Sequence, residues 1–263
     1  MDILTTTSLL GAAVGLIMGL TGAGGGILSV PLLVFFLHFS VAQASPIALS
    51  AIAMASTIAT LIGLRNGLLR YKAAALMAVT GLLSAPLGLY LSQVVPNAPL
   101  LALFGAVLLW VSFRSVSLTS APLQNQSPPC QLDDSIGKLI WTLPCARALF
   151  LSGAWAGFLS GLLGVGGGFV LVPALQKYTN LPQRSVVATS LGVLAIVSTG
   201  ALVMAGLAGH LPGATAVPFT GGAVAGLMAG KWLEPKIPVR RMQLLFGLVA
   251  ACVGTALIIK SLV

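Results

Sequence analysis

The stretch GLTGAGGGILSVP at residues 19–31 returns as GLLGVGGGFVLVP at residues 161–173. Gly15, Gly19, Gly22, Gly24, Gly25, Gly26 and Pro31 correspond to Gly157, Gly161, Gly164, Gly166, Gly167, Gly168 and Pro173, all at an offset of 142. Glycine inside a helix costs roughly 1 kcal/mol relative to alanine. A glycine cluster kept at matching positions therefore predicts two copies of one backbone shape. The match extends further: LFG at 103–105 meets LFG at 245–247, and AQASPIALS (42–50) lies against PQRSVVATS (182–190) after a two-residue shift. Leucine matches are cheap in an apolar chain, whereas seven glycine and proline matches at one offset are not. The chain reads as a duplication, with a first repeat over 1–116, a polar Pro- and Ser-rich linker over 117–145, and a second repeat over 146–263.

Apolar blocks run over 8–38, 46–64, 73–94, 99–113, 147–175, 186–208, 212–230 and 242–259, most of them with the length of a membrane helix. Only 6% of the residues are charged, against about 25% in soluble chains. Too few charges exist to cover a water-facing surface, so the bilayer is the natural solvent. The net charge of +9 does not point to nucleic acid: the 13 basic residues sit in short connections and form no basic face with interleaved aromatics. The opening MDILTTTSLLGAAVG has an acidic second residue and no basic region, unlike a secretory leader. Cys130, Cys145 and Cys252 are odd in number, far apart and form no CxxC. Neither a disulfide framework nor a thiolate metal site is expected, and Cys130 and Cys145 read as surface thiols in or near the linker.

Basic residues near segment ends prefer the cytoplasmic side. They lie at Arg65, Arg70 and Lys72; at Arg114, Lys138 and Arg147; at Lys177 and Arg184; and at Lys231, Lys236, Arg240 and Arg241. Connections 39–45, 95–99 and 209–213 have none. Eight full crossings would scatter the basic loops over both sides. If blocks one and five each enter and leave on one face, all these basic loops share a side, and only Lys260 falls on the other. The expected fold is an all-α polytopic membrane protein of two homologous halves in inverted topology. Each half opens with a Gly-broken, re-entrant helix pair followed by three spanning helices. Eight plain spans with a weak charge bias remain the alternative.

The glycine runs exclude two familiar sites. Neither copy has the lysine of a phosphate loop, and GAGGG is not the dinucleotide pattern GxGxxG. Gly11, Gly15 and Gly19, like Gly153, Gly157 and Gly161, are spaced to let helices approach. The inner glycines cannot all share one helix face. Their expected role is to unwind the helix inside the membrane, where freed backbone groups are tolerated only beside protein or a polar cavity. A half-helix starting there presents N–H groups and a positive dipole end, a seat for an anion. Pro31 and Pro173 are expected to kink the chain a turn later. A bend that is structural only is the competing reading.

Hydroxyls in SAIAMASTIAT (50–60) and SVVATSLGVLAIVSTG (185–200) are candidate donors: Ser50, Ser56, Thr57 and Thr60; Ser185, Thr189, Ser190, Ser198 and Thr199. The competing reading is a bond to the carbonyl four residues back. Thr21 stands beside the first cluster, but its counterpart Leu163 is apolar, so the seat is at best pseudo-symmetric. The substrate-binding set expected from sequence is Thr21, Gly22, Gly24, Gly25, Gly26, Ser56, Thr57, Gly164, Gly166, Gly167, Gly168, Thr189 and Ser190. Arg65 and Arg184 are candidate entrance charges, with topology setting as the plainer role. The four acidic residues, Asp2, Asp133, Asp134 and Glu234, lie outside every apolar block. That disfavours buried-carboxylate cation transport and a carboxylate proton relay. His38 and His210 fall near the expected outer face. No catalytic triad, HExxH, carboxylate pair or metal-spaced cluster is present, so no enzyme, cofactor or metal is expected.

The two motifs GLIMGLTGAGGGILSVPLL (15–33) and GFLSGLLGVGGGFVLVPAL (157–175), with GLLSAPLG (81–88) and GGAVAGLMAG (221–230), give the whole chain a resemblance to the sulfite exporter TauE/SafE-like family of membrane permeases. The resemblance implies transport of small sulfur-containing anions such as sulfite, sulfonates or sulfoacetate across a bacterial inner membrane. It implies coupling to an ion gradient, with H+ the expected coupling ion. The family-matching positions are Gly22, Gly24, Gly25, Gly26 and Pro31, and Gly164, Gly166, Gly167, Gly168 and Pro173. Thiosulfate-importing relatives carry cysteines inside their helices; here only Cys252 lies well inside an apolar block. The expectation is thus a secondary transporter working by alternating access, in contact with lipid and a small anion, with no nucleic-acid partner. A passive small-anion channel, a permease for a non-sulfur organic anion, and a homodimer all stay open.

Overall fold

The computed structural model describes residues 3–117, 129–133, 138–139, 141–207, 213–233 and 239–262. They form α1 (Ile3–Thr21), a 3₁₀ segment (Gly22–Leu28), α2 (Ser29–Phe36), α3 (Val41–Arg65), α4 (Tyr71–Val94) and α5 (Asn97–Ser117). A two-residue ladder follows in the linker, β1 (Leu132–Asp133) against β2 (Lys138–Leu139). The second half has α6 (Leu143–Leu163), α7 (Gly168–Tyr178), α8 (Gln183–Leu207), α9 (Gly213–Leu233) and α10 (Val239–Leu262). Six helices among the described residues contain a stretch long and apolar enough to cross a membrane. Leu83, Leu87, Phe113, Leu207 and Val217 stand exposed on the outer surface. Apolar side chains at this density are compatible with lipid and not with water. The chain is a polytopic membrane protein.

Local signals place the helix ends. Ser40 opens α3 with a reciprocal cap, its hydroxyl accepting from the Gln43 N–H while Gln43 Oε1 accepts from the Ser40 N–H. Thr142 caps α6, accepting from the Cys145 N–H.

Helix directions follow from which residues meet. Gly11, Gly15 and Gly19 of α1 lie against Phe219, Ala223 and Leu227 of α9, so the two run parallel. Gly153, Gly157 and Gly161 of α6 lie in the same way against Met77, Gly81 and Ala85 of α4. In both pairs a Cβ on the glycine would land in the partner's backbone, so these glycines let backbones touch. α3 and α8 run antiparallel, with Gly63 against Ala188 and Gly192 against Thr60. α5 and α10 are also antiparallel: Gly105 meets Gly254, and Ser112 Oγ donates to the Gly247 carbonyl at 2.7 Å. α1 packs on α9 as α6, its sequence counterpart, packs on α4.

Two junctions fix which connections share an end. The Cys130 N–H in the linker donates to the Tyr178 carbonyl at the end of α7, while Cys130 is disulfide-bonded to Cys145 at the start of α6. α7 therefore returns to the end where α6 begins. The basic residues Arg65, Arg70 and Lys72, Arg147, and Lys177 and Arg184 gather at that end. At the opposite end the Val41 N–H donates to Asn97 Oδ1 at 3.1 Å, and Lys260 Nζ donates to the Val34 carbonyl at 3.0 Å.

The disulfide corrects the reading of Cys130 and Cys145 as surface thiols: both are fully buried and joined. Linear spacing hides the pairing because the linker folds back onto the α6 start. Cys252 is a free, exposed thiol. His38 is exposed, with a φ of 55° in the turn after α2. His210, Asp134, Glu234 and Lys236 lie outside the described residues.

Candidate functional site

The two glycine clusters do not share one backbone shape. α6 ends on Gly164 with φ +69°, whose N–H donates to the Ser160 carbonyl at 2.9 Å. Gly166 and Gly167 are also left-handed, with φ of +73° and +69°. Such conformations favour glycine. The turn doubles back against α6, so that a Cβ on Gly167 would strike the Ala156 carbonyl. The N–H groups of Val170 and Leu171 then close on the Gly167 carbonyl and α7 begins. The N–H groups of Gly168 and Phe169 precede that ladder in the first turn of α7, at its positive dipole end.

The first cluster keeps right-handed geometry. Thr21, Leu28 and Ser29 are all helical, and the 3₁₀ segment between them runs directly into α2. Neither Gly25 nor Gly26 has a positive φ. Gly25 is needed for close approach, since a Cβ there would collide with the Met18 backbone. Pro31 falls in the first turn of α2. Pro173 lies in mid-α7.

Both clusters converge on one side chain. A Cβ on Gly26 would stand 3.1 Å from Ile52 Cδ1 and 3.4 Å from the Val165 carbonyl, and one on Gly166 would stand 3.0 Å from Ile52 Cγ2. The second turn is also walled by Ser45 beside Gly164 and by Leu194 and Ser198 beside Gly166, with Ser198 Oγ 3.0 Å from that Cβ position. Ser198 is fully buried, and its hydroxyl finds no hydrogen-bond partner. The same holds for Ser160, at the end of α6, and Ser29, at the start of α2.

The other hydroxyls are mostly spent on their own helices. Thr21 Oγ1 donates to the Ile17 carbonyl at 2.8 Å, Ser56 Oγ to the Ile52 carbonyl, Thr57 Oγ1 to the Ala53 carbonyl at 2.7 Å, and Ser190 Oγ to the Val187 carbonyl at 2.9 Å. Thr60 and Thr199 do likewise. A hydroxyl whose proton is so engaged still accepts, but it must break that bond to donate to an oxyanion. Thr57 is on the exposed face of α3. Thr189 Oγ1 accepts from the Arg70 N–H at 3.2 Å, bridging the α3–α4 connection to α8. Ser50 pairs with Thr220 of α9 at 2.9 Å. Arg65 and Arg184 are exposed at the basic end.

Sequence reasoning passed over Ser160, Ser45 and Ile52, and counted Ser198 only among the wider hydroxyls. One signal would have raised Ser198: the pair Ser56–Thr57 recurs as Ser198–Thr199 at the same offset of 142. Nothing in the sequence marks Ile52.

The model of the Sulfite exporter TauE/SafE family matches residues 7–257. The chain belongs to this family. A probable membrane transporter protein of Xylella fastidiosa (strain 9a5c) is 30% identical over 263 residues, covering 95% of this chain and 93% of the relative. The probable membrane transporter protein YunE of Bacillus subtilis (strain 168) is 24% identical, covering 96% of each. The probable membrane transporter protein MJ0441 of Methanocaldococcus jannaschii is 28% identical over 203 residues, 74% of this chain and 69% of that one. No solved structure matches the chain. Membership in a membrane transporter family gives buried glycine turns inside a polytopic TauE/SafE bundle a transport context.

Proposed function

We propose that this TauE/SafE member is a secondary transporter of small sulfur-containing oxyanions of the sulfite or sulfonate type across the bacterial inner membrane. Its substrate sits where the Gly22–Gly26 and Gly164–Gly168 clusters approach each other, between two inverted repeats. The observation that carries the reading is the convergence of both clusters on Ile52, at a helix N-terminus lined by an unpartnered hydroxyl. Alternating access arises as one repeat moves against the other about these glycines. Transport is coupled to a proton gradient; charge favours the cytoplasm for the basic connections, whereas the Cys130–Cys145 disulfide at the same end favours an oxidising compartment.

The test is flux in proteoliposomes of labelled sulfite, sulfoacetate, taurine and acetate, with and without an imposed pH gradient. Saturable, gradient-sensitive flux of a sulfur oxyanion is the expected result. Equal leakage of every anion, indifferent to the gradient, marks a passive channel. Saturable flux of acetate alone assigns a non-sulfur organic anion instead.

A further inference from the structure

The elements around the second turn are α3, α6, α7, α8 and the 3₁₀ segment. Residues 22–28, 41–64, 148–176 and 185–207 contain no Asp, Glu, His, Lys or Arg. Every polar group that these stretches bring to the turn is therefore neutral: the N–H groups at the start of α7, the hydroxyl of Ser198 beside Gly166, and the hydroxyl of Ser45 beside Gly164, which donates to the Val41 carbonyl. Leu194 and Ile52 close the remaining sides with hydrocarbon.

This chemistry discriminates by charge. Moving an ion from water into such surroundings costs an amount that rises with the square of its charge, and no fixed countercharge is present to offset it. Neutral donors and a helix N-terminus hold a single negative charge well. A second charge raises that desolvation cost about fourfold while the donors stay the same. Among the described residues no titratable side chain lies in these stretches, so proton dependence at the turn itself comes from the anion.

We propose, building on the oxyanion-transport reading above, that the Gly164–Gly168 turn with Ser198 accepts monoanionic oxyanions and rejects dianions, so that sulfite crosses as hydrogensulfite and carries its own proton. Sulfite dianion takes up one proton in the aqueous phase on one side, crosses as HSO3−, and releases that proton on the other. One proton and one sulfite dianion move per cycle, with net transfer of one negative charge. No buried carboxylate or histidine is required. The first cluster contributes a wall and no second seat, because its 3₁₀ segment continues into α2 without a free helix start.

The experiment uses the full chain in proteoliposomes with three probes: sulfite, methanesulfonate (a monoanion that does not titrate) and sulfate (a dianion). The KM for total sulfite rises about tenfold per pH unit once the dianion predominates, following simple proton linkage. The KM for methanesulfonate stays flat over the same range, and sulfate does not compete. Ser198→Ala raises KM for both monoanions about tenfold, the loss of one hydrogen bond to a charged group. A pH-independent sulfite KM, competition by sulfate equal to that by methanesulfonate, or an unchanged KM in Ser198→Ala overturns the proposal while leaving oxyanion transport standing. If no anion is transported, the transport reading falls, and the seat is judged by binding to the solubilised protein. Methanesulfonate then raises the thermal unfolding midpoint, sulfate does not, and Ser198→Ala abolishes the shift; any other pattern overturns the seat.

Discussion

The glycine runs at 22–26 and 164–168 are nearly the same peptide and take different shapes. The first winds as a 3₁₀ helix pressed against its own α1 and passes smoothly into α2. The second breaks into three left-handed glycines and releases a new helix N-terminus beside an unpartnered hydroxyl. The returning helices are also held differently. α7 is tied at its end to Cys130, which a disulfide joins to α6, whereas the Val34 carbonyl of α2 accepts from Lys260, which also lies 5.2 Å over the Phe35 ring. Two nearly identical glycine runs thus take two backbone shapes, one wound and one opened.

The sharpest way to break this contrast is a methyl group. Gly167→Ala combines a left-handed backbone with a collision against the Ala156 carbonyl, and should cost about 3–5 kcal/mol. Gly26→Ala meets the Ile52 side chain at 3.1 Å and the Val165 carbonyl at an ordinary 3.4 Å, and should cost about 1 kcal/mol or less. Denaturant unfolding in mixed micelles compares the two, and equal losses would show that the clusters bear the same constraint.

The ties come next. Reduction of the disulfide, or the paired change of Cys130 and Cys145 to serine, should lower stability by about 3 kcal/mol, the loop-closure figure for a separation of 15 residues. Faster hydrogen exchange at the end of α7, with α2 unchanged, would locate the loss. The mirror experiment is Lys260→Met. It removes one charge-assisted bond and should cost about 1–2 kcal/mol, with exchange accelerated at α2 alone.

The smallest effect is the most diagnostic. Ser198→Ala removes a buried hydroxyl with no partner, and should leave stability unchanged or raise it by about 1 kcal/mol. Ser56→Ala breaks only a bond to its own helix and should be near neutral for stability and for anion affinity. A destabilised Ser198→Ala would mean that the hydroxyl has a structural role.

Much of the architecture was legible beforehand. The apolar blocks announced membrane helices, and the spacing of Gly11, Gly15 and Gly19 announced a face where backbones touch. Both are local properties, because helix period and hydropathy act within one segment. The partner was not legible: that α1 lies on α9 and α6 on α4 depends on how the halves embrace. The disulfide was missed for a related reason. A separation of 15 residues says nothing until the linker folds back on α6. At the candidate site, sequence named the glycine clusters and the hydroxyl-rich helices, but it did not separate hydroxyls bonded to their own helices from those left without partners. That distinction rests on rotamer and neighbour, as Ser198 beside Gly166 and Ser56 against Ile52 show.

What this sequence determined by itself is the solvent and the absence of fixed charge from the segments that meet at the glycine turns. These follow from residue type alone, since burial of charge and cost of glycine do not depend on the partner found. Tertiary structure decided which copy of the motif stays wound and which opens. The same five-residue pattern is compatible with both shapes, and the backbone energy separating them is small beside the packing around them. Met18 crowds Gly25 in the first cluster, while Ala156, Ser45 and Leu194 crowd the left-handed glycines of the second.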